Sequence, residues 1–495
     1  MEKESVAKTA GRGTLYITFS KLYFIASGYG IYLSLPRILT PDQFGLYGVV
    51  TGIVSIINAV INLGTQQSVS KFVSEDKRRA ESVKKQALKI QIFVGGGVTI
   101  AYLLLTPVIA KLVNDPNLTN PLRISALITI SYTFYSVFIG YLNGQKKFFR
   151  QSILDVTYST VKVILIVLLG FLIKTVSGAI LGFGLAAFIV LCLAPIVAGK
   201  AEDQIDHRPS VEAFLKFQFA LLGTVLVNNL LQKLDLILIK AVGSTSSSQA
   251  SEMAGYYTAL IAVANITYQA IVSISFVIFP LISNATFEDR KEEVRSYIRQ
   301  TSRYTLMMMA LSATIFSSNS SAILGLLYKK EYMIGALPLS IVAYGMLFFG
   351  LIYIFSAIVS SSGRPKVAFS VGVLTLVANF LLNSLLIPKY GLMGAAIGTT
   401  TSMLVGASLL GIYILRTFQV WIGFRSLIFI TSATFLAYEV GLIFSAEKIY
   451  TLAVAIGVQV GVYLAVLLIA REIGYKEIEM IGKMLPVRSG TGRSN

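Results

Sequence analysis

Long apolar runs, separated by short polar segments, recur from one end of the chain to the other. A membrane-spanning helix needs about 20 apolar residues. Runs of that kind fall at 14–35, 44–64, 88–112, 122–142, 156–174, 177–199, 214–241, 255–281, 303–327, 334–361, 366–387, 391–415, 424–444 and 449–470. The pattern predicts an all-α integral membrane protein with about 14 transmembrane helices. The N-terminal residues lack a short apolar core followed by a small-residue cleavage site, so no removable signal peptide is expected.

Composition agrees. The 495 residues are 55% hydrophobic and 13% charged, whereas a soluble chain is about a quarter charged. The net charge of +18 would suggest nucleic-acid binding in a soluble protein, but here its distribution gives it another meaning. Of 42 Lys and Arg, 27 lie in the termini and alternate loops, 9 in the intervening loops and 6 within or at the ends of helices. This bias predicts a multi-pass protein of the cell (plasma) membrane with both termini cytoplasmic. No nucleic-acid partner is expected. One cysteine and one histidine offer neither an intrachain disulfide nor a His-based metal site. No Gly-x4-Gly-Lys-Ser/Thr phosphate loop occurs, and the outer-loop acids are scattered rather than paired. No cofactor, metal or enzymatic activity is therefore expected.

The chain also repeats itself. The segment 41–54 (PDQFGLYGVVTGIV) resembles 251–264 (SEMAGYYTALIAVA), aligning Gly45 with Gly255 at an offset of 210. YLNGQKKF (141–148) parallels SSSGRPKV (360–367), and TVSGAILGFG (175–184) parallels GLMGAAIGTT (391–400), the last aligning Gly178 with Gly394. These blocks predict a six-helix half over 1–199, a cytoplasmic linker over 200–213 and a second half over 214–415. A helix pair at 424–470 and a cytoplasmic tail at 471–495 complete the chain. Six is even, so both halves take the same membrane orientation, related by a pseudo-two-fold axis along the membrane normal. Transporters of this kind bind substrate between their halves and rock around it.

The stretch SGRPKVAFSVGVLTLVANFLLNSLLIPKYGLMGAAIGTTTS (362–402) resembles polysaccharide-export flippases. These form the Wzx-like branch of the MATE-like multidrug/oligosaccharidyl-lipid/polysaccharide superfamily. The features carrying the likeness are the Gly363 loop, Asn379 and Asn383, the turn Pro388-Lys389-Tyr390-Gly391, and Gly394-Ala395-Ala396. LPRILTPDQFGLYGVV (35–50), NLGTQQSVSKFVSE (62–75) and QKLDLILIKAVG with AGYYTAL (232–243, 254–260) are similar to further parts of that family. The resemblance implies an inverted-V bundle moving a polyprenyl- or dolichyl-(pyro)phosphate-linked oligosaccharide from the inner to the outer leaflet. It also implies contact with membrane lipids and with glycan-assembly proteins, and a monomer is expected.

Polar residues inside the spans are the candidate site, because each ionisable group at bilayer depth costs roughly 2.5–3.5 kcal/mol. The segment VLVNNLLQKLDLILIKAVG (225–243) carries Asn228, Asn229, Gln232, Lys233, Asp235 and Lys240. On a wheel of 100° per residue these fill one wedge of about 160°, as expected for a helix edging an aqueous cleft. Lys21 and Lys162 lie in the first half, and Lys21 is the approximate repeat counterpart of Lys233. A cation from each half predicts a phosphate clamp of Lys21, Lys162 and Lys233. The amide pairs Asn58/Asn62 and Asn379/Asn383, spaced i,i+4, each place two donor–acceptor groups on one helix face, suited to sugar hydroxyls or to interhelical bonding. The alternative reading is a MATE-like cation-coupled exporter of small molecules, which would rest on Asp235.

Overall fold

A computed structural model of the chain describes residues 2–200, 209–220, 222–444 and 448–473. Among these residues the structure is helical, with no strand. The helices are α1 (Glu2–Ile38), α2 (Pro41–Glu75), α3 (Ala80–Leu112), α4 (Thr119–Gly144), α5 (Phe148–Ile173), α6 (Val176–Ala198), α7 (Val211–Ala220) and α8 (Leu222–Val242). There follow α9 (Ser247–Phe287), α10 (Lys291–Ser318), α11 (Ser320–Leu327), α12 (Ala336–Ser361), α13 (Pro365–Phe418), α14 (Phe424–Ile443) and α15 (Ile449–Ile469). The protein is an all-α membrane protein. Among the described residues, ten helical segments are long and apolar enough to cross a bilayer, or eleven if the bent α10/α11 pair forms one span.

The expected spans fall on these helices, though not one to one. The 303–327 run is shared by α10 and α11, which meet at a 69° bend. Conversely, α13 holds two expected spans in 54 residues, far longer than the ~30 Å hydrocarbon core requires at 1.5 Å per residue. Gly391 resolves this, with φ 58° and ψ −129° inside the helical run, a conformation glycine adopts without a Cβ penalty. The two segments then fold back on each other: a β-carbon on Gly394 would lie 2.2 Å from the Leu386 carbonyl oxygen.

The α5–α6 hairpin is built in the same way, since a β-carbon on Gly182 would lie 2.2 Å from the Leu165 carbonyl oxygen. Gly178 and Gly182 are the repeat counterparts of Gly394 and Gly398. Lipid supplies no hydrophobic force between helices, so small residues and close backbone contact must provide the association.

A third close approach joins repeat counterparts directly. A β-carbon on Gly45 of α2 would meet the Ser251 carbonyl oxygen at 1.9 Å, and one on Gly255 of α9 would meet that of Pro41 at 2.0 Å. Pro41 and Ser251 are themselves counterparts at the offset of 210. The contact is therefore reciprocal, as at a two-fold interface.

The chain divides into two compact units: Met1–Val263 with Leu327–Pro338 and Phe369–Ser402, and Ala264–Leu326 with Leu339–Ala368 and Met403–Asn495. The first contains the glycine contacts above and the candidate site below. In the second, the α10/α11 break is secured by side chains. Asn319 Nδ2 donates to the Ile315 carbonyl at 2.9 Å and to Gln459 Oε1 at 2.8 Å. Gln459 Nε2 donates to Ser318 Oγ at 2.7 Å and to the Ala437 carbonyl at 3.1 Å, and the Tyr463 hydroxyl donates to the Met307 carbonyl at 2.8 Å. Backbone groups freed at a helix break must be satisfied where water is excluded. Outside the spans, the Arg78 side chain and backbone N–H hold the Asp76 carboxyl below its ordinary range at the α2–α3 turn.

Candidate functional site

The most chemically loaded region of the first unit lies where α5 meets α1, α4 and α6. Asp155, Tyr158 and Lys162 stand at i, i+3 and i+7 of α5 and so share one face. Lys21 of α1 brings its Nζ to 3.7 Å from Asp155 Oδ2. The two partners differ in environment: the Lys21 side chain is 60% exposed, the Asp155 side chain 13%. Ser20 and Tyr135 face the same carboxylate. The Tyr132 hydroxyl bonds that of Tyr158, and the Tyr23 and Thr160 hydroxyls meet at 2.9 Å, tying α1 to α5.

Lys162 is buried. Its Nζ lies 4.3 Å from the Phe24 ring centroid, 5.3 Å from that of Tyr158 and 5.8 Å from that of Phe183. No carboxylate pairs with it among the described residues. A desolvated cation over an aromatic face gains about 2 kcal/mol, less than the several kcal/mol that burying an ammonium costs. The rings alone therefore do not offset the burial of Lys162.

The polar residues of α8, expected on one cleft-lining wedge, take different environments. Lys233 is half-buried, with its stem across α2: a β-carbon on Gly52 would lie 3.8 Å from Lys233 Cδ. Asn228 and Gln232 are half-buried as well. Asn229 Nδ2 donates to the Val225 carbonyl at 2.9 Å, within its own helix. Asn58 and Asn62 on α2 are half-buried and their Oδ1 atoms have no hydrogen-bond partner.

Asp235 belongs to a closed network. Its carboxylate accepts from the Tyr257 hydroxyl at 2.6 Å, the Thr399 hydroxyl at 3.2 Å and the Leu236 backbone N–H at 2.8 Å. Asn383 Nδ2 donates to Thr399 Oγ1 at 3.2 Å and to the Asn379 carbonyl at 2.9 Å, while Asn379 Nδ2 donates to Ser402 Oγ at 2.9 Å. The Asn379/Asn383 pair thus bonds across the α13 hairpin, and both side chains are fully buried. Lys240 is similarly enclosed, its Nζ 2.9 Å from Asp115 Oδ2 and 2.8 Å from the Ser247 carbonyl oxygen.

Asp155 and the tyrosines 132, 135 and 158 have no place in the site read from sequence. An acid seven residues before Lys162 on a helix face was the available signal. No group of three His, Cys, Asp or Glu side chains suited to a metal occurs among the described residues. The chemistry on offer is non-covalent: cations beside aromatic faces, with amide groups on neighbouring helices.

Fold and site together define a polytopic helical membrane protein with a cationic, tyrosine-lined cluster among its helices. The chain belongs to the polysaccharide biosynthesis protein family, whose model matches residues 10–286. It is 27% identical over 176 residues to the "Uncharacterized membrane protein MJ1068" of Methanocaldococcus jannaschii, covering 34% of this chain and 33% of that protein. It is 25% identical over 161 residues to the "Probable low-salt glycan biosynthesis flippase Agl15" of Haloferax volcanii, covering 32% of this chain and 34% of the relative. The matches thus span about a third of the length of these curated relatives. Among solved structures, the "Lipid II flippase MurJ, inward closed conformation" superposes with a TM-score of 0.73 at 16% identity, over 93% of this chain and 99% of that one. At that identity the likeness is one of fold.

Proposed function

We propose that this protein moves a polyprenyl- or dolichyl-(pyro)phosphate-linked oligosaccharide from the cytoplasmic to the outer leaflet by alternating access, for polysaccharide or glycoprotein-glycan export. The observation that carries this reading is the uneven treatment of charges in the first unit. Asp235 and Lys240 are buried with full sets of partners, whereas Lys21 is mostly exposed and Lys233 half-buried. Intramembrane cations left open to an approaching ligand suit an anionic head group. Lys21 and Lys233 contact the phosphate, and Lys162 supplies a fixed positive field behind Lys21. The unpartnered amide oxygens of Asn58 and Asn62 accept from sugar hydroxyls, and the lipid tail remains in the bilayer.

Family membership, similarity to a probable glycan-biosynthesis flippase of Haloferax volcanii and the fold shared with a lipid II flippase support this assignment. The inside-negative membrane potential would favour outward movement of an anion by about 2.3 kcal/mol per charge per 100 mV. The test is reconstitution of the purified chain into liposomes bearing a fluorescent pyrophosphate-linked glycolipid in the inner leaflet. Its appearance outside, measured by a membrane-impermeant quencher, should exceed that of protein-free liposomes by at least about tenfold, equivalent to 1.4 kcal/mol in the barrier. Equal rates would refute the assignment.

A further inference from the structure

We propose that the bare face of α14, centred on Glu439, docks a membrane-spanning helix of a partner protein that carries a lysine or arginine near its midpoint. The inference is independent of the transport function proposed above. It starts from the opposite face of α14, which the second unit uses internally. Gln459 of α15 donates to the Ala437 carbonyl of α14 at 3.1 Å and accepts from Asn319 at 2.8 Å. A β-carbon on Gly441 would lie 1.9 Å from Gln459 Nε2. These contacts fix the depth of Glu439. It stands between Ala437 and Gly441 in sequence and is therefore level with Gln459, the middle residue of the 21-residue α15. A helix of that length crosses the ~30 Å hydrocarbon core, so Glu439 lies near the bilayer midplane.

Its direction follows from the same contacts. On a wheel of 100° per residue, Ala437 and Gly441 fall about 160° from Glu439, whereas Ile428, Phe435, Leu436 and Leu442 fall within about 60°. Those four are 47%, 60%, 45% and 55% exposed, and Glu439 is exposed at their centre. The apolar company makes this a face toward hydrocarbon rather than an aqueous cleft. No hydrogen bond or ion pair reaches Glu439 among the described residues. Ionisable groups at this depth almost always face the bundle interior and have a partner; Glu439 has neither. Charge names the missing partner, because a carboxyl group in hydrocarbon is satisfied by a cationic donor at its own depth. Lipid head groups lie about half the core thickness away. A helix, with its backbone groups bonded internally, can bring a basic side chain to the midplane. A second copy packed through this face supplies none, since Arg425 is the one basic residue of α14 and α15, lies in the first turn of α14 and donates to the Ala470 carbonyl at 3.1 Å. The bare residues recur at the i, i+4 and i+7 spacing that packs one helix against another.

The probes are two acceptor-labelled leucine-rich spanning peptides, identical except for lysine or leucine at the central position. The purified full chain, donor-labelled at its C-terminus, is reconstituted in phosphatidylcholine vesicles, and energy transfer is followed against the peptide-to-lipid ratio. The wild-type chain should bind the lysine peptide about tenfold more tightly than the leucine peptide, equivalent to 1.4 kcal/mol. Glu439→Gln, which keeps the shape of the side chain, should reduce that preference to about threefold or less, with an unchanged unfolding midpoint showing that the helix pair stays in place. Equal binding of the two peptides by the wild type, or the full preference in Glu439→Gln, overturns the proposal. Transfer between chains without peptide, lost in Glu439→Gln, would assign the face to a second copy and overturn it as well.

Discussion

Two charged regions of the first unit, both within helices of a membrane protein, have been treated in opposite ways by the fold. Around Asp235, hydroxyl and backbone donors from α8, α9 and α13 converge at 2.6–3.2 Å, and the adjoining Asn379 and Asn383 bond across their own hairpin. Around α5, Lys21 reaches outward from a single carboxylate 3.7 Å away, and Lys162 meets only rings. The first arrangement is closed by the protein's own donors; in the second, Lys21 has a carboxylate partner but Lys162 has none among the described residues. Intramembrane charge alone therefore does not mark a binding site. The decisive property is whether the protein itself satisfies it.

The contrast is most sharply tested through stability. Lys240→Ala removes the partner of buried Asp115 and should cost about 3–5 kcal/mol, read as a large drop in the thermal unfolding midpoint in detergent. Asp235→Ala strands the Tyr257 and Thr399 hydroxyls and should cost about 1.5–3 kcal/mol, with Asp235→Asn milder because an amide oxygen still accepts. If Asp235→Asn were fully stable but inactive, Asp235 would be an ion-coupling group and the cation-antiport reading would gain ground. Lys21→Ala should cost about 1–3 kcal/mol, less than Lys240→Ala because Lys21 is mostly exposed but more than a surface pair because it strands the largely buried Asp155, while reducing transport. Lys162→Met should be neutral or slightly stabilising, because an apolar side chain of similar volume needs no desolvation. A marked loss of stability there would show that Lys162 holds the fold rather than the ligand.

Much of the fold was legible because hydrophobic run length reports directly on the bilayer. The glycine blocks of the repeat were legible for a different reason. Close backbone crossings admit no β-carbon, so Gly45, Gly182 and Gly394 recur where helices touch. The candidate site was less legible. The segment QKKFFRQSILD (145–155) reads as a polar loop, yet α5 begins at Phe148, which places Asp155 inside the helix. The wheel put Asp235 at the edge of the polar wedge, and only the partner helices showed that this edge is buried. Asn379 and Asn383 were assigned to one face, but their partners Ser402 and Thr399 lie across a turn that periodicity cannot orient. Asp115 is one of the scattered outer-loop acids, and its pairing with Lys240 joins the first repeat to the second.

The most direct measurement compares Lys21→Ala with Asp235→Asn in the same proteoliposome assay, scoring the initial rate of pyrophosphate-glycolipid flipping per folded protein. The account predicts a loss of about tenfold or more for Lys21→Ala, equivalent to at least 1.4 kcal/mol of lost stabilisation. It predicts that Asp235→Asn, once corrected for folded fraction, stays within about twofold of wild type. Full activity in Lys21→Ala together with an inactive but folded Asp235→Asn would contradict it.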